Sequence, residues 1–279
     1  MEFKKPFFSV IIPTFNEENF IPKLLKDLTK QTDKDFEVIV SDRFSQDRTK
    51  EVVLSFKSKL PINFYQYKGK NVSSQRNFGA SKACGEYLIF LDADTRVNSS
   101  FIKKLKMAIK NKKGLVFIPH LHPQETRAFP EMRFIFPILN TVVEFSQNFK
   151  KAFSASGNMI WEKSFFQRVG GFDEQLDITE DHDIIRKTHL WGVRAKILKE
   201  PSIKFSLRRM KREGRLSLFY KIFISHLYLL FNDKLQKRLF EYEMGGHLYK
   251  RLSKNKILIK LEKKEIIRKI KKIFRYLIG

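Results

Sequence analysis

The chain has 279 residues, 42% of them hydrophobic, which is enough for one large core with an appendage. Lys and Arg number 55 against 30 Asp and Glu, and the net charge of +25 points to polyanionic partners: nucleic acid, anionic lipid or phosphorylated substrates. The single cysteine, Cys84, excludes an internal disulfide and fits a reducing compartment.

Strands and helices alternate through the first half. Phe7 to Ile12 reads as a strand stopped by Pro13, and Glu18 to Thr29 as a helix with Phe20, Ile21, Leu24, Leu25 and Leu28 on one face. Lys4 and Lys5 precede that first apolar run, but Pro13 and Asn16 cut it short and no small-residue cleavage site follows, so it is not read as a signal peptide. Phe36 to Val40 is a second strand, Asp47 to Phe56 a helix, and Ile62 to Tyr65 a third strand. A helix over Val72 to Ala83 follows, with Cys84 at its end as a small core residue. Tyr87 to Leu91 is a fourth strand, Ser99 to Ile109 a helix capped by Ser99 or Asn98, and Leu115 to Ile118 a fifth strand. This rhythm predicts an α/β fold built on a doubly wound, mostly parallel sheet.

The stretch from His120 to Lys151 is less regular, broken by Pro123, Pro130 and Pro137, with a helix over Ile138 to Asn148. Ala152 to Trp161 reads as a strand, Gly170-Gly171 as a sharp turn, Glu180 to Leu190 as a helix and Ala195 to Leu198 as a strand. Beyond Pro201 the chain becomes basic. Leu216 to Phe231 is helical and apolar, but too short and too interrupted by Lys221 and His226 to span a bilayer. From Lys250 to Gly279 twelve Lys and Arg face two acids, and Ile266, Ile267, Ile270, Ile273, Phe274, Leu277 and Ile278 recur at helical spacing. Two domains follow: 1–210, and a basic amphipathic helical extension over 211–279. An anionic membrane surface is one partner the extension fits; packing on the domain or on a second copy is the alternative.

The chemistry concentrates where the fourth strand ends, at Asp92-Ala93-Asp94. Open α/β sheets bind ligands at the carboxyl ends of their strands. Two carboxylates this close repel unless a cation lies between them, and a hard divalent ion shared with a diphosphate fits.

Five blocks in order resemble the family 2 glycosyltransferases, inverting enzymes with the GT-A fold, over about Phe7 to Arg209: SVIIPTFNEE from Ser9, VIVSDRFSQDRT from Val38, the run from Gly69 to Asp94, the run from Ser154 to Leu176, and TEDHDIIRK from Thr179. The resemblance implies donor-nucleotide contacts from Pro13, Phe15, Glu17, Asp42, Arg76 and Asp92. It implies Mn²⁺ or Mg²⁺ held by Asp94 with Asp92, and a diphosphate held by Arg208 and Arg209. Gly157, Asn158 and Glu180 would line the sugar and acceptor side, and Asp181 would be the general base. Asp183 and Arg186 would orient that base, and His182 would point away from it. Arg43 and Phe44 replace the family's usual second acid and glycine, and Phe205 stands where many members carry a histidine. The implied activity is a metal-dependent hexosyltransferase moving a sugar from a nucleotide diphosphate sugar, UDP-linked by preference, to a hydroxyl or lipid-linked acceptor. The basic extension and the absence of an export signal in the sequence give a cytoplasmic placement as the expectation, with the inner face of the cell membrane one surface the extension fits and no nucleic acid as partner. The rival readings are a nucleotide-sugar-binding protein of the same fold without turnover and, on charge alone, a nucleic-acid binder.

Overall fold

The computed structural model describes residues 5–176, 179–213 and 246–249. In chain order its elements are β1 (Phe8–Thr14), α1 (Ile21–Thr29), β2 (Phe36–Asp42), α2 (Thr49–Leu54), β3 (Ile62–Gln66), α3 (Val72–Lys82), β4 (Tyr87–Phe90), α4 (Phe101–Lys112), β5 (Val116–Pro123), α5 (Met132–Ser146), β6 (Ile160–Glu162), α6 (Lys163–Arg168), α7 (Glu180–Leu190), β7 (Lys196–Phe205) and α8 (Arg208–Glu213). A 3-10 turn covers Gly246–Tyr249.

Seven strands form one sheet in the order β3-β2-β1-β4-β6-β5-β7. The pairs β1 with β2, β1 with β4, β2 with β3 and β5 with β7 are parallel, and β6 runs antiparallel to both its neighbours. The central strands β1, β2 and β4 are buried at every position, as expected of parallel strands covered on both faces. α3 packs on β1 and β2, α5 on β5, and α4 touches β7. One core cluster joins Ile11 and Ile39 to Phe90, Trp161, Phe172 and Ile184, so the two motif-bearing halves share packing.

Several elements depart from the sequence reading, each for a local reason. β1 runs through Pro13 to Thr14. Ile11 accepts from Leu91 on the β4 side, and two residues on the Pro13 nitrogen faces that side beyond the end of β4, where no donor is needed. The run from Ala152 is not a strand until Ile160: the Ser154 hydroxyl donates to Ser156 O, and the Asn158 amide donates to the Ser156 hydroxyl, so side chains take over the ladder's groups. α5 begins six residues before the predicted helix and contains Pro137, which lies on its exposed side where water reaches the freed carbonyl. β7 extends to Phe205 past Pro201, tolerated because β7 is the sheet's edge. Cys84 follows α3 in an exposed loop and is no core residue. Gly170 and Gly171 do form the predicted turn, both with positive φ.

The chain divides into two compact units. Among the described residues the first holds everything up to Ser206 together with Gly246 and His247, and the second begins at Leu207. Of the second, α8 is described; the predicted helix over Leu216 to Phe231 and the basic helix beyond Lys250 lie outside the described residues. Among the described residues no helix is long and apolar enough to cross a membrane.

Candidate active site

The carboxyl ends of β1, β2 and β4 adjoin, and the loop after each carries one of the sequence blocks. At the β4 end stands Asp92. Fully buried Asn158 holds it: the Asn158 amide nitrogen donates to Asp92 Oδ2 (3.2 Å), while Asn158 Oδ1 accepts from the Asp92 backbone (2.9 Å) and the Thr95 hydroxyl (3.1 Å). From α3, Arg76 Nη2 reaches Asp92 Oδ1 at 2.7 Å, and Nη1 reaches Glu180 Oε1 at 2.9 Å. One guanidinium, 4% exposed, thus joins the end of β4 to the start of α7. Its plane lies over the Phe172 ring, 5.2 Å from the centroid. Gly157 abuts the same group: a Cβ there would sit 2.2 Å from Arg76 Nη2, so only glycine admits the arginine.

The approach of α7 to α3 has a mechanical basis. Asn71 opens α3 with a capping box, and its amide donates to the carbonyls of Glu174 and Leu176 at 3.0 Å each. The Asn77 amide donates to Phe172 O (2.8 Å) and Glu174 Oε1 (2.9 Å), and its oxygen accepts from the Phe172 backbone. The loop leading to Glu180 is therefore stapled to the helix that carries Arg76.

Electrostatics follow from burial. Burial, then the neighbouring Asp181, push the Glu180 carboxyl up to about 7, with Arg76 pulling it down. Burial opposes the charge on Arg76, but Asp92 and Glu180 outweigh it and hold the guanidinium above its ordinary value. Asp181 comes next on α7, in the first turn, where acids complement the helix dipole. Its Oδ1 accepts from the His182 backbone at 3.0 Å and lies 3.8 Å from His182 Nε2. The expectation that His182 points away from Asp181 is corrected: its ring packs on Phe153, centroids 5.3 Å apart, and turns back along the helix. Asp183 pairs with Lys187 at 3.1 Å.

The loops after β1 and β2 interlock. Asp42, fully buried, accepts from the Thr14 hydroxyl (2.8 Å), the Ser45 hydroxyl (2.5 Å) and the Ser45 backbone (2.9 Å). The Asn16 amide nitrogen of the main chain donates to Ser45 Oγ (2.8 Å), and that of Glu17 to Thr49 Oγ1 (2.8 Å). Gln75 donates to both Thr14 O and Ser41 O at 2.8 Å, tying the strand ends together from α3. Pro13 is buried beneath, Phe15 is half-buried with Arg43 over its ring (5.2 Å), and Glu17 is buried. The arginine that replaces the family's usual second acid thus covers the aromatic.

Gly246 belongs to none of the five sequence blocks. Its amide donates to Phe15 O at 3.1 Å, and a Cβ on it would lie 2.1 Å from Asn16 O and 2.9 Å from Glu17 Oε2. The Gly245-Gly246 pair was the available signal.

Arg76, Asp92, Gly157, Asn158 and Glu180 are therefore brought together, with Asp181 adjoining, while Pro13, Phe15, Glu17 and Asp42 form the neighbouring loop cluster. Gly157 and Asn158 stand behind the acids as supports. Arg208 and Arg209 open α8, in the second unit, half-buried there. Trp161 is core, Trp191 caps α7 half-exposed, and Phe205 packs on Phe136.

A divalent ion would have few protein ligands here. Asp92 is engaged on both oxygens, and among the described residues no group of three or more His, Cys, Asp or Glu could hold a metal ion. Asp94 is half-buried at the turn, its backbone carbonyl accepting from Gln124 at 2.8 Å. One carboxylate completed by diphosphate oxygens and water is a set that Mg²⁺ accepts, so the residues fit a substrate-shared ion.

Comparison with known proteins gives a consistent picture. The family model "Glycosyl transferase family 2" matches residues 9–170. The chain is 26% identical over 216 residues to the poly(ribitol-phosphate) beta-N-acetylglucosaminyltransferase TarS of Staphylococcus aureus, covering 74% of this chain but 36% of that protein. It is 37% identical over 105 residues to the GalNAc(5)-diNAcBac-PP-undecaprenol beta-1,3-glucosyltransferase of Campylobacter jejuni, 36% of this chain and 33% of that one. The chain thus spans about a third of the length of these relatives. Among solved structures, S. aureus TarS 1-349 in complex with UDP-GlcNAc superposes with a TM-score of 0.60 at 24% identity, covering 82% of this chain and 68% of that one. The mannosyltransferase PcManGT of Pyrobaculum calidifontis, with GDP-Man and Mn²⁺, gives 0.61 at 17%, covering 81% and 65%. The sheet order and these superpositions make the fold GT-A, and with the family model matched over more than half its residues the chain belongs to glycosyl transferase family 2.

Proposed function

We propose that the protein is an inverting hexosyltransferase that moves a sugar from a UDP-linked donor to a hydroxyl of a saccharide or lipid-linked acceptor. The observation that carries this is the Arg76 bridge, because it joins Asp92 of the β4 end to Glu180 at the start of α7, next to Asp181. In this reading Asp181 takes the acceptor's proton, which an inverting displacement needs on the face opposite the leaving group. Arg76 orients Glu180 and Asp92 through its two ion pairs. Phe15 stacks on the base, Glu17 meets the ribose, and Asp42, engaged by Thr14 and Ser45, fixes the loop beneath them. Asp94 would hold Mn²⁺ or Mg²⁺ shared with the substrate's diphosphate. When bound, the ion stabilises charge on the departing diphosphate. The names of the S. aureus and C. jejuni relatives, an N-acetylglucosaminyl- and a glucosyltransferase, support a hexose, and the undecaprenol in the second supports a lipid-linked acceptor.

A thermal-shift panel of UDP- and GDP-sugars with and without Mn²⁺ tests the donor and the ion together. A UDP-sugar is expected to raise the melting temperature more with Mn²⁺ than alone. In Asp94→Asn that extra increment disappears, and turnover falls by about 10²-fold or more. No shift with any nucleotide sugar sinks the reading.

Gly246→Ala tests the loop. Its methyl meets the Asn16 carbonyl, a backbone atom that cannot swing aside. The expected result is a donor KM raised about tenfold with kcat within a factor of about three, since a loss of roughly 1–3 kcal/mol from overpacking falls on nucleotide binding alone. Equal loss in kcat and kcat/KM contradicts it.

A further inference from the structure

α5 is apolar on two opposite sides. Its inner side, with Met132, Phe136 and Val143, is buried, and Asn140 clamps it to β5 by accepting from the Leu121 amide and donating to the Leu121 carbonyl, 3.0 Å each. Its outer side carries Phe134, Ile138, Val142 and Phe145, and Phe149 continues the line just past its end. These are 74%, 64%, 47%, 63% and 51% exposed. The spacing of four, four, three and four residues makes one unbroken stripe along a helix about 22 Å long. A stripe of this length exceeds the scattered exposed side chains of an ordinary surface.

We propose that this outer face of α5 docks on an anionic lipid bilayer, with the phenylalanines at the acyl boundary and the flanking cations at the headgroups. Charge decides between occupants. Arg127 and Arg133 stand exposed at one end of the stripe, with the half-buried Glu125 and Glu131 beside them, and Lys150 and Lys151 stand exposed at the other; Glu144 is the one acid within the helix. Two copies meeting through this face would set these cations against each other, on chains that each carry +25. An anionic surface turns the same charges to advantage, at about 1 kcal/mol for each Lys or Arg near it. The face also has a path to the cleft. β5, under α5, leads to Gln124, whose side chain donates to the carbonyls of Asp94 and Lys204 at 2.8 Å each. Docking through α5 would therefore set the Asp94 turn beside a membrane-borne acceptor. This purpose rests on the lipid-linked reading above; the docking itself is measured without turnover, so the two fail separately.

The test is flotation of the full chain with phosphatidylcholine vesicles, with and without phosphatidylglycerol. Binding is expected for the anionic vesicles, and F134S/F145S/F149S is expected to weaken it about tenfold or more while the melting temperature stays that of the parent. A second probe covers failure of that variant to fold. In Phe145→Trp, fluorescence measured against the parent is expected to shift blue and to be quenched by brominated acyl chains when anionic vesicles are added. Undiminished flotation of a folded triple variant overturns the proposal, as does added fluorescence that vesicles leave unchanged. So does a dimer that the triple variant abolishes, since a second copy would then cover the face.

Discussion

Arg76→Met is expected to lower the melting temperature by roughly 6–20 °C and to abolish measurable transfer, the stability loss following from about 3–5 kcal/mol for breaking a buried ion pair from one side. Methionine matches the volume but leaves the Asp92 and Glu180 carboxylates facing each other across an apolar gap where 2.7 and 2.9 Å bonds had been. The pH dependence separates this account from a simple packing defect. Burial already raises Glu180 to about 7 against an ordinary 4.5, and Arg76 is the group that opposes the rise. A carboxyl raised on folding binds its proton more tightly in the folded chain. Its stabilising contribution is therefore complete at low pH and is lost as pH climbs through the folded value. Without Arg76 that window moves upward. The deficit of the variant in melting temperature is thus expected to be larger at pH 8 than at pH 5.5. Arg76→Lys is expected to recover part of the stability but little activity, because one ammonium does not span two carboxylates as a planar fork does. A deficit equal at both pH values argues that packing alone is lost.

The alternation of strands and helices was legible because parallel strands buried on both faces are continuous apolar runs, as FFSVII, FEVIV and YLIF are. The two acidic clusters were legible as chemistry by their place at the ends of such elements. Their convergence was not. Arg76 and Glu180 are 104 residues apart, and no periodicity encodes a contact at that range; only the order of the blocks carried it. The same limit hid the supports. Asn158 and Gly157 were expected to line the acceptor side, but a buried amide beside a carboxylate and a glycine under a guanidinium look alike in sequence whether they face ligand or protein. Gly246 was illegible for a third reason: its constraint is the carbonyl of Asn16, and closeness between backbones leaves only a glycine as its trace. The outer stripe of α5 escaped notice because Pro137 was read as a break, which halved the helix and hid the periodicity of its first turns.

Asp181→Asn is expected to lower kcat by about 10²–10⁴-fold with the donor dissociation constant unchanged, the usual cost of losing a general base that touches only the acceptor. The pairing of Asp181 with Glu180 makes this a contest. By proton affinity alone Glu180 is the better base, since a carboxyl near 7 is matched to neutral pH. Geometry points the other way. Glu180 Oε1 is committed to Arg76 and its side chain is 12% exposed, so taking a proton from an acceptor would set a neutral carboxyl against the guanidinium that holds it. Asp181 Oδ1 accepts from the His182 amide and lies 3.8 Å from that ring, on the same first turn of the helix. Glu180→Gln is accordingly expected to lower stability and kcat together, as a positioning residue does, while Asp181→Asn leaves stability near that of the parent. Removing the charge of Asp181 also removes one of the two causes that raise Glu180, so the acid limb of whatever activity remains is expected to move to lower pH. Near-parental kcat in Asp181→Asn beside a dead but well-folded Glu180→Gln would transfer the base to Glu180, with Arg76 as the group that favours its ionised form.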